Sequence, residues 1–122
     1  MPSSFTAPLT VTKLGKSWRV SRSFRYYIAH ENSHDYIEVP ENFETDFASV
    51  PRGLWNIFPP DGEYTQAAVL HDYLYNTKLR TRSESDRIFL EAMTVLLVPA
   101  WKRQLMYRAV RLFGWIPWKK RR

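Results

Sequence analysis

In the run AAVLHDYLYN, residues 67–76, a histidine and an aspartate stand side by side inside a segment otherwise built like an apolar helix. On a helix His71 and Tyr75 are i and i+4 and share a face, whereas Asp72 is turned by about 100° and addresses a different neighbour. One helix can therefore present an imidazole and a carboxylate in two directions. Upstream, FETDFASVPR sets Asp46 between Thr45 and Phe47, and downstream SRSESDRIFLEAM places Asp86 near the start of another helix. Three carboxylates can converge on one histidine. A neutral imidazole can take a proton from water, and an orienting carboxylate fixes its tautomer, so the chemistry on offer is assisted proton transfer. Each residue also has a structural reading. His71 can be a core histidine donating to a carbonyl, Asp72 the partner of a nearby arginine, and Asp46 the acceptor of an Asx-turn. Asp86 can close a capping box, Ser83-x-x-Asp86, at the helix start.

The elements that would carry these residues differ along the chain. From Pro8 to about Thr45, alternating β-branched and aromatic residues in PLTVTKL, SWRVSRSFRYYIAH and DYIEVP read as short strands joined by the polar turns LGKS and HENSHD. This predicts a β meander or hairpin layer. FETDFASVPRGLWNIFPPDGEY, interrupted by Pro51, Gly53, Pro59, Pro60 and Gly62, reads as a structured loop. Three helices are expected after it: about 63–76 with the His-Asp pair, Ser83 to about Leu97, and Pro99 to a stop at Gly114. Ile88, Phe89, Ala92, Met93 and Leu96 recur at helical steps, as do Leu105, Met106, Ala109, Val110 and Phe113, giving each of the last two helices one apolar face. The fold class is therefore α+β in a single domain: a β-rich part (1–45), a site loop (46–62), a three-helix part (63–115) with antiparallel central helices, and a basic tail (116–122).

At 122 residues with 44% apolar and 16% aromatic content, disorder is excluded. With no cysteine, neither a disulfide nor a thiolate metal site is available. The opening MPSSFTAPLT lacks a basic segment followed by a long apolar one, and no apolar run approaches the roughly 18 to 20 residues of a membrane span. Synthesis in the cytoplasm without a signal peptide is expected. Charge is uneven: residues 1–91 hold ten Lys/Arg against twelve Asp/Glu, while residues 92–122 hold eight Lys/Arg and no acid. Such an end favours a phosphate-rich partner, nucleic acid or an anionic membrane.

The run TDFASVP, the segment HDYLY, the spacing R-x-x-x-D-x-x-F-x-x-x-M and the late YRAVRLFG resemble a small phage and prophage family of unknown function, over roughly residues 36–115. More remotely, the same succession is similar to the bacterial and fungal branch of the phospholipase A₂ superfamily, which has a T-D-x-C-S loop, an A-C-x-x-H-D-x-x-Y helix and a second helix with an early Asp followed by F and M. Carried over, the resemblance implies His71 as general base and Asp86 as the group holding its imidazole. It implies Asp46, Asp72 and the Phe47 carbonyl as Ca²⁺ ligands, and Tyr75 as a brace. Ca²⁺ prefers oxygen ligands and would polarise an ester carbonyl. The chain departs from that branch at Ala48 and Ala68, where the branch has paired cysteines, and it lacks the Gly-rich calcium loop of the animal enzymes. The resemblance thus implies a calcium-dependent ester hydrolase; the alternative is a non-enzymatic virion component of the tail or connector, released or assembled with the phage.

Other residues read as ordinary. His30 and His34 belong to a solvated turn. Ser49 lacks the strand-turn-helix setting of a nucleophile elbow. Arg52 is a candidate for a carboxylate or lipid phosphate, and Trp55, Ile57 and Phe58 for core or an acyl-chain entrance. On the third helix Lys102, Arg103, Arg108 and Arg111 are expected away from the apolar face. Trp115, Trp118, Lys119, Lys120, Arg121 and Arg122 follow, and tryptophan beside basic residues is an interfacial membrane signature. Phage structural proteins or nucleic acid are the alternative partners for this end.

Overall fold

A computed structural model describes residues 4–5, 9, 11–14, 17–28, 35–45 and 64–120. It divides into two compact units, Met1–Asp46 and Phe47–Arg122. The expected α+β class is observed: small antiparallel sheets precede packed helices.

In the first unit, β1 (Ser4–Phe5), β4 (Phe24–Tyr27) and β5 (Tyr36–Val39) form one sheet in the order β1-β4-β5. A second contains β2 (Val11–Leu14), β3 (Ser17–Val20) and β6 (Glu44–Thr45) in the order β2-β3-β6. The expected layer is thus two hairpins, each extended by a strand from elsewhere in the unit. The stretch SWRVSRSFRYY breaks at Ser21, Arg22 and Ser23, sending its halves into different sheets. Alternation sets the β4–β5 register: Phe24 opposes Val39 and Tyr26 opposes Ile37, all four buried, while Arg25 faces Glu38 on the other side. Their ion pair of 2.6 Å is exposed and adds little stability.

In the second unit, α1 (Thr65–Thr77) buries Gln66 to Asp72 without interruption, then Leu74 and Tyr75. A helix covered on most sides is an interior element of its unit. The second helix, α2 (Arg82–Val95), starts one residue earlier than expected and is capped by Thr81, not Ser83. Thr81 Oγ1 accepts from the Glu84 amide at 3.1 Å and donates to Glu84 Oε1 at 3.0 Å, so the capping box is Thr81-x-x-Glu84. At its far end Val98 N bonds Met93 O at 3.0 Å and Leu97 N bonds Thr94 O at 3.1 Å, the two bonds of a Schellman motif. Its left-handed position is Leu97, φ 63°, where glycine is usual.

The third helix, α3 (Ala100–Phe113), packs on α2 through Met106 and Val110, its buried residues. The single apolar face expected from periodicity is split: Leu105 and Phe113 lie outside, because the packed side is centred one position further round. Gly114 does not end the helical path. Its φ of −65° is right-handed, and Trp118 N bonds Gly114 O at 3.0 Å, opening α4 (Trp115–Lys120) where a tail was expected. Pro117 is tolerated there because it falls in the first turn, where an amide has no helical acceptor. No helix among the described residues is long and apolar enough to cross a membrane.

Candidate active site

The revised cap changes the standing of Asp86. Lying two residues beyond the capping position Glu84, it has no free helix-start amide to satisfy, yet its side chain is wholly buried. Burying a carboxylate is costly unless it is paired and hydrogen-bonded. Asp86 is both. His71 Nε2 approaches Oδ1 at 2.7 Å and the Tyr75 hydroxyl donates to the same oxygen at 2.6 Å. Arg111 Nη1 donates to Oδ2 at 2.8 Å, and Arg82 Nη1 lies 3.5 Å from it. The site is therefore built by α1 supplying His71 and Tyr75 from one face, α2 supplying Asp86 and Arg82 one turn apart, and α3 supplying Arg111.

Because the carboxylate only accepts, His71 donates through Nε2, and the ring's basic nitrogen is Nδ1. The imidazole lies 4.5 Å from the Phe89 ring and 4.2 Å from that of Tyr75, which fixes its plane. Burial first, and then the hydrogen bond to Asp86, raise the Tyr75 phenol above its ordinary value, so it remains a donor. Trp118 meets Tyr75 edge-on at 5.1 Å, and Lys78 lies over the Trp118 ring.

Arg82 has a second task. Its Nη1 donates to Val110 O at 3.1 Å, and both Nη atoms lie 3.4 Å from Arg111 O. These carbonyls end α3, so a cation there meets the negative end of that helix. The close approach needs Gly114: a Cβ at this position would clash with the Val110 carbonyl and come within 2.5 Å of the Tyr75 hydroxyl.

Asp72 is also fully buried, on a different side of α1, as the helical rotation predicts. Its backbone carbonyl accepts from Asn76 Nδ2 at 3.1 Å, and the residue makes a further interaction. Asp46 and Phe47, with Ser49, Arg52, Trp55, Ile57 and Phe58, lie outside the described residues, as do His30, His34, Arg121 and Arg122. Among the described residues no three His, Cys, Asp or Glu gather as a metal site.

Among the sequence-selected residues, His71, Tyr75 and Asp86 meet. Arg111, expected outward, instead turns to Asp86, because its long side chain spans from α3 to the buried carboxylate. Arg103 donates to Val98 O at 2.9 Å, Arg108 and Lys119 are exposed, and Trp118 is half-buried. Arg82 and Gly114 were missed. The i, i+4 spacing of Arg82 to Asp86 was a readable signal; Gly114 was legible only as a helix stop.

An α+β chain with a buried, aspartate-centred polar cluster joining three helices is the class these observations define. Residues 18–110 match DUF1353, a family described as proteins of unknown function, and the chain belongs to that family. It is 41% identical over 78 residues to the uncharacterized protein y4jT of Sinorhizobium fredii (strain NBRC 101917 / NGR234), covering 62% of this chain and 23% of the relative. It is 34% identical over 73 residues to the uncharacterized protein y4iH of the same strain, covering 58% of this chain and 30% of the relative. The chain thus corresponds to under a third of the length of either relative. No solved structure matches it.

Proposed function

We propose that this chain is a phage- or prophage-encoded, calcium-dependent ester hydrolase of phospholipase A₂ type that acts at membranes. The observation that carries the reading is the His71–Asp86 bond of 2.7 Å, made by an aspartate that the helix start does not need. Asp86 fixes the imidazole as the Nε2–H tautomer, so that Nδ1 would take the proton from an attacking water. Tyr75 and the two arginines hold the carboxylate in place. Asp72 and Asp46, with the Phe47 carbonyl, are oxygen donors of the kind Ca²⁺ takes, and the ion when bound would polarise the ester carbonyl. The test is fatty-acid release from phospholipid vesicles with Ca²⁺ and with chelator. His71→Gln should cost about 10² to 10⁴-fold in turnover while the protein stays folded. Wild-type protein that releases no fatty acid from any vesicle would sink the reading.

A specific observation favours a second reading, the non-enzymatic virion component. The His71 ring has no exposed surface, and both Asp86 oxygens are occupied from three helices, as a structural hub would be. In that case His71→Gln should lower the melting temperature sharply, and binding to purified virion proteins or DNA should be found in place of hydrolysis.

A further inference from the structure

Two features of the second unit remain unused by this reading. The outward face of α3 is apolar: Trp101 is 62%, Leu105 39% and Leu112 66% exposed. At about 100° per residue these three fall within roughly 40° of one another, a stripe running the length of the helix. Arg108 is exposed about 20° outside this arc, and Trp115 and Ile116 of α4 are exposed apolar residues too, followed by exposed Lys119. The second feature is Leu97, at 83% the most exposed large apolar residue among those described, which holds a left-handed conformation that glycine would adopt without strain. It stands four residues before Trp101, at the corner where the stripe begins. A large apolar side chain there is strained in its backbone and gains little from burial in this fold.

We infer that the Leu97 corner and the outer face of α3 form a docking surface for an anionic phospholipid bilayer. This deepens the membrane part of the proposed reading and rests on it, but not on catalysis. It also places the apolar contact on α3, since Trp118 of the tail is turned toward Tyr75. Charge selects the occupant. Residues 92–122 carry eight basic residues and no acid, so a second copy would bring like charges together. A nucleic acid would match the charge but leave the central Trp and Leu side chains against phosphates. A bilayer satisfies both, taking the apolar stripe among its acyl chains and the basic flanks at its headgroups.

The experiment is co-sedimentation of the full chain with phosphatidylcholine vesicles, with and without phosphatidylglycerol, across a salt series, alongside thermal melts. Wild-type protein should bind only the anionic vesicles and release with salt. Trp101→Ser and Leu97→Gly should each weaken that binding roughly tenfold. Leu97→Gly should at the same time raise the melting temperature, because glycine relieves the left-handed backbone. A structural role for Leu97 would move both quantities downward, and that result overturns the inference. So does anionic-vesicle affinity unchanged in both variants, or full-length protein that ignores vesicles and binds an acidic protein or duplex DNA through these residues. The two readings fail separately: binding without fatty-acid release removes only the hydrolase, and hydrolysis of a soluble short-chain ester without vesicle binding removes only the docking surface.

Discussion

The interior of the α1–α2 pair and the outer face of α3 invert the usual distribution of residues in opposite senses. On α1 and α2 the protein buries His71, Asp72 and Asp86 completely, whereas on α3 it leaves Trp101 and Leu112 mostly in solvent. A buried polar group and an exposed apolar patch are the two informative departures from burial by hydrophobicity. They differ in how they are resolved. Asp86 is satisfied within the chain, by a histidine, a tyrosine and two arginines, so its cost is met on folding. On the α3 stripe Lys102 lies over the Trp101 ring at 5.6 Å, yet Trp101 and Leu112 stay mostly in solvent, so the fold gains little from their burial. The inner departure should thus govern stability and the outer one should not.

The strongest way to break this contrast is to compare Asp86→Ala with Leu105→Gln in denaturant titrations. Removing Asp86 takes the shared carboxylate from Arg111, His71 and Tyr75 together, leaving Arg82 its carbonyl acceptors, and should cost about 3 to 5 kcal/mol. Leu105→Gln should stay within about 0.5 kcal/mol of wild type. Equal losses at the two positions would mean that α3 is part of the core after all.

Tyr75→Phe should be milder, about 1.5 to 3 kcal/mol, the range for a hydrogen bond to a charged acceptor. It also has a pH signature. The folded protein holds the Tyr75 proton more tightly than the unfolded chain does, so the phenol's contribution is complete below its ordinary value of 10.0 and is lost as pH rises above it. Stability of wild type measured from pH 8 to pH 12 should therefore fall more steeply than that of Tyr75→Phe. Parallel curves would separate the phenol from Asp86.

The smallest effect sharpens the assignment of Asp86 itself. Thr81→Ala should cost about 1 kcal/mol, the usual value of a lost helix cap, while Ser83→Ala should be nearly neutral. The reverse order would restore Asp86 to the helix cap and weaken its claim as the partner of His71.

The last two helices were legible because their apolar residues recur at helical steps and Pro99 marks where the third begins, whereas α1 and α2 end at Lys78 and Leu97 without the glycine that usually signals a helix end. The pairing of His71 with Tyr75 and the separate direction of Asp72 follow from rotation alone. Two features misled. Thr81-x-x-Glu84 and Ser83-x-x-Asp86 satisfy the same capping pattern two residues apart, and the Thr81–Glu84 bonds together with Asp86's partners on α1 and α3 decide between them. Arg111 follows buried Val110 by one position, which says nothing about where a long guanidinium side chain will end. In the β-rich unit, alternation gave β2 to β5 but not the two-residue β1 and β6, and Ser21 to Ser23 look like any polar interlude, the change of sheet there depending on strand pairings that are distant in sequence.

Arg82 has a consequence for the exchange of backbone hydrogens with solvent. It opens α2, yet its guanidinium caps Val110 O and Arg111 O at the far end of α3. Helix ends ordinarily fray, and their amides exchange long before the rest of the molecule opens. Here the last turn of α3 is held by a side chain rooted in another helix, so it cannot loosen while the start of α2 stays in place. The amide of Gly114, bonded to Val110 O at 2.8 Å, should then exchange at the slow rate of the α1–α2 interior and not at that of a terminus.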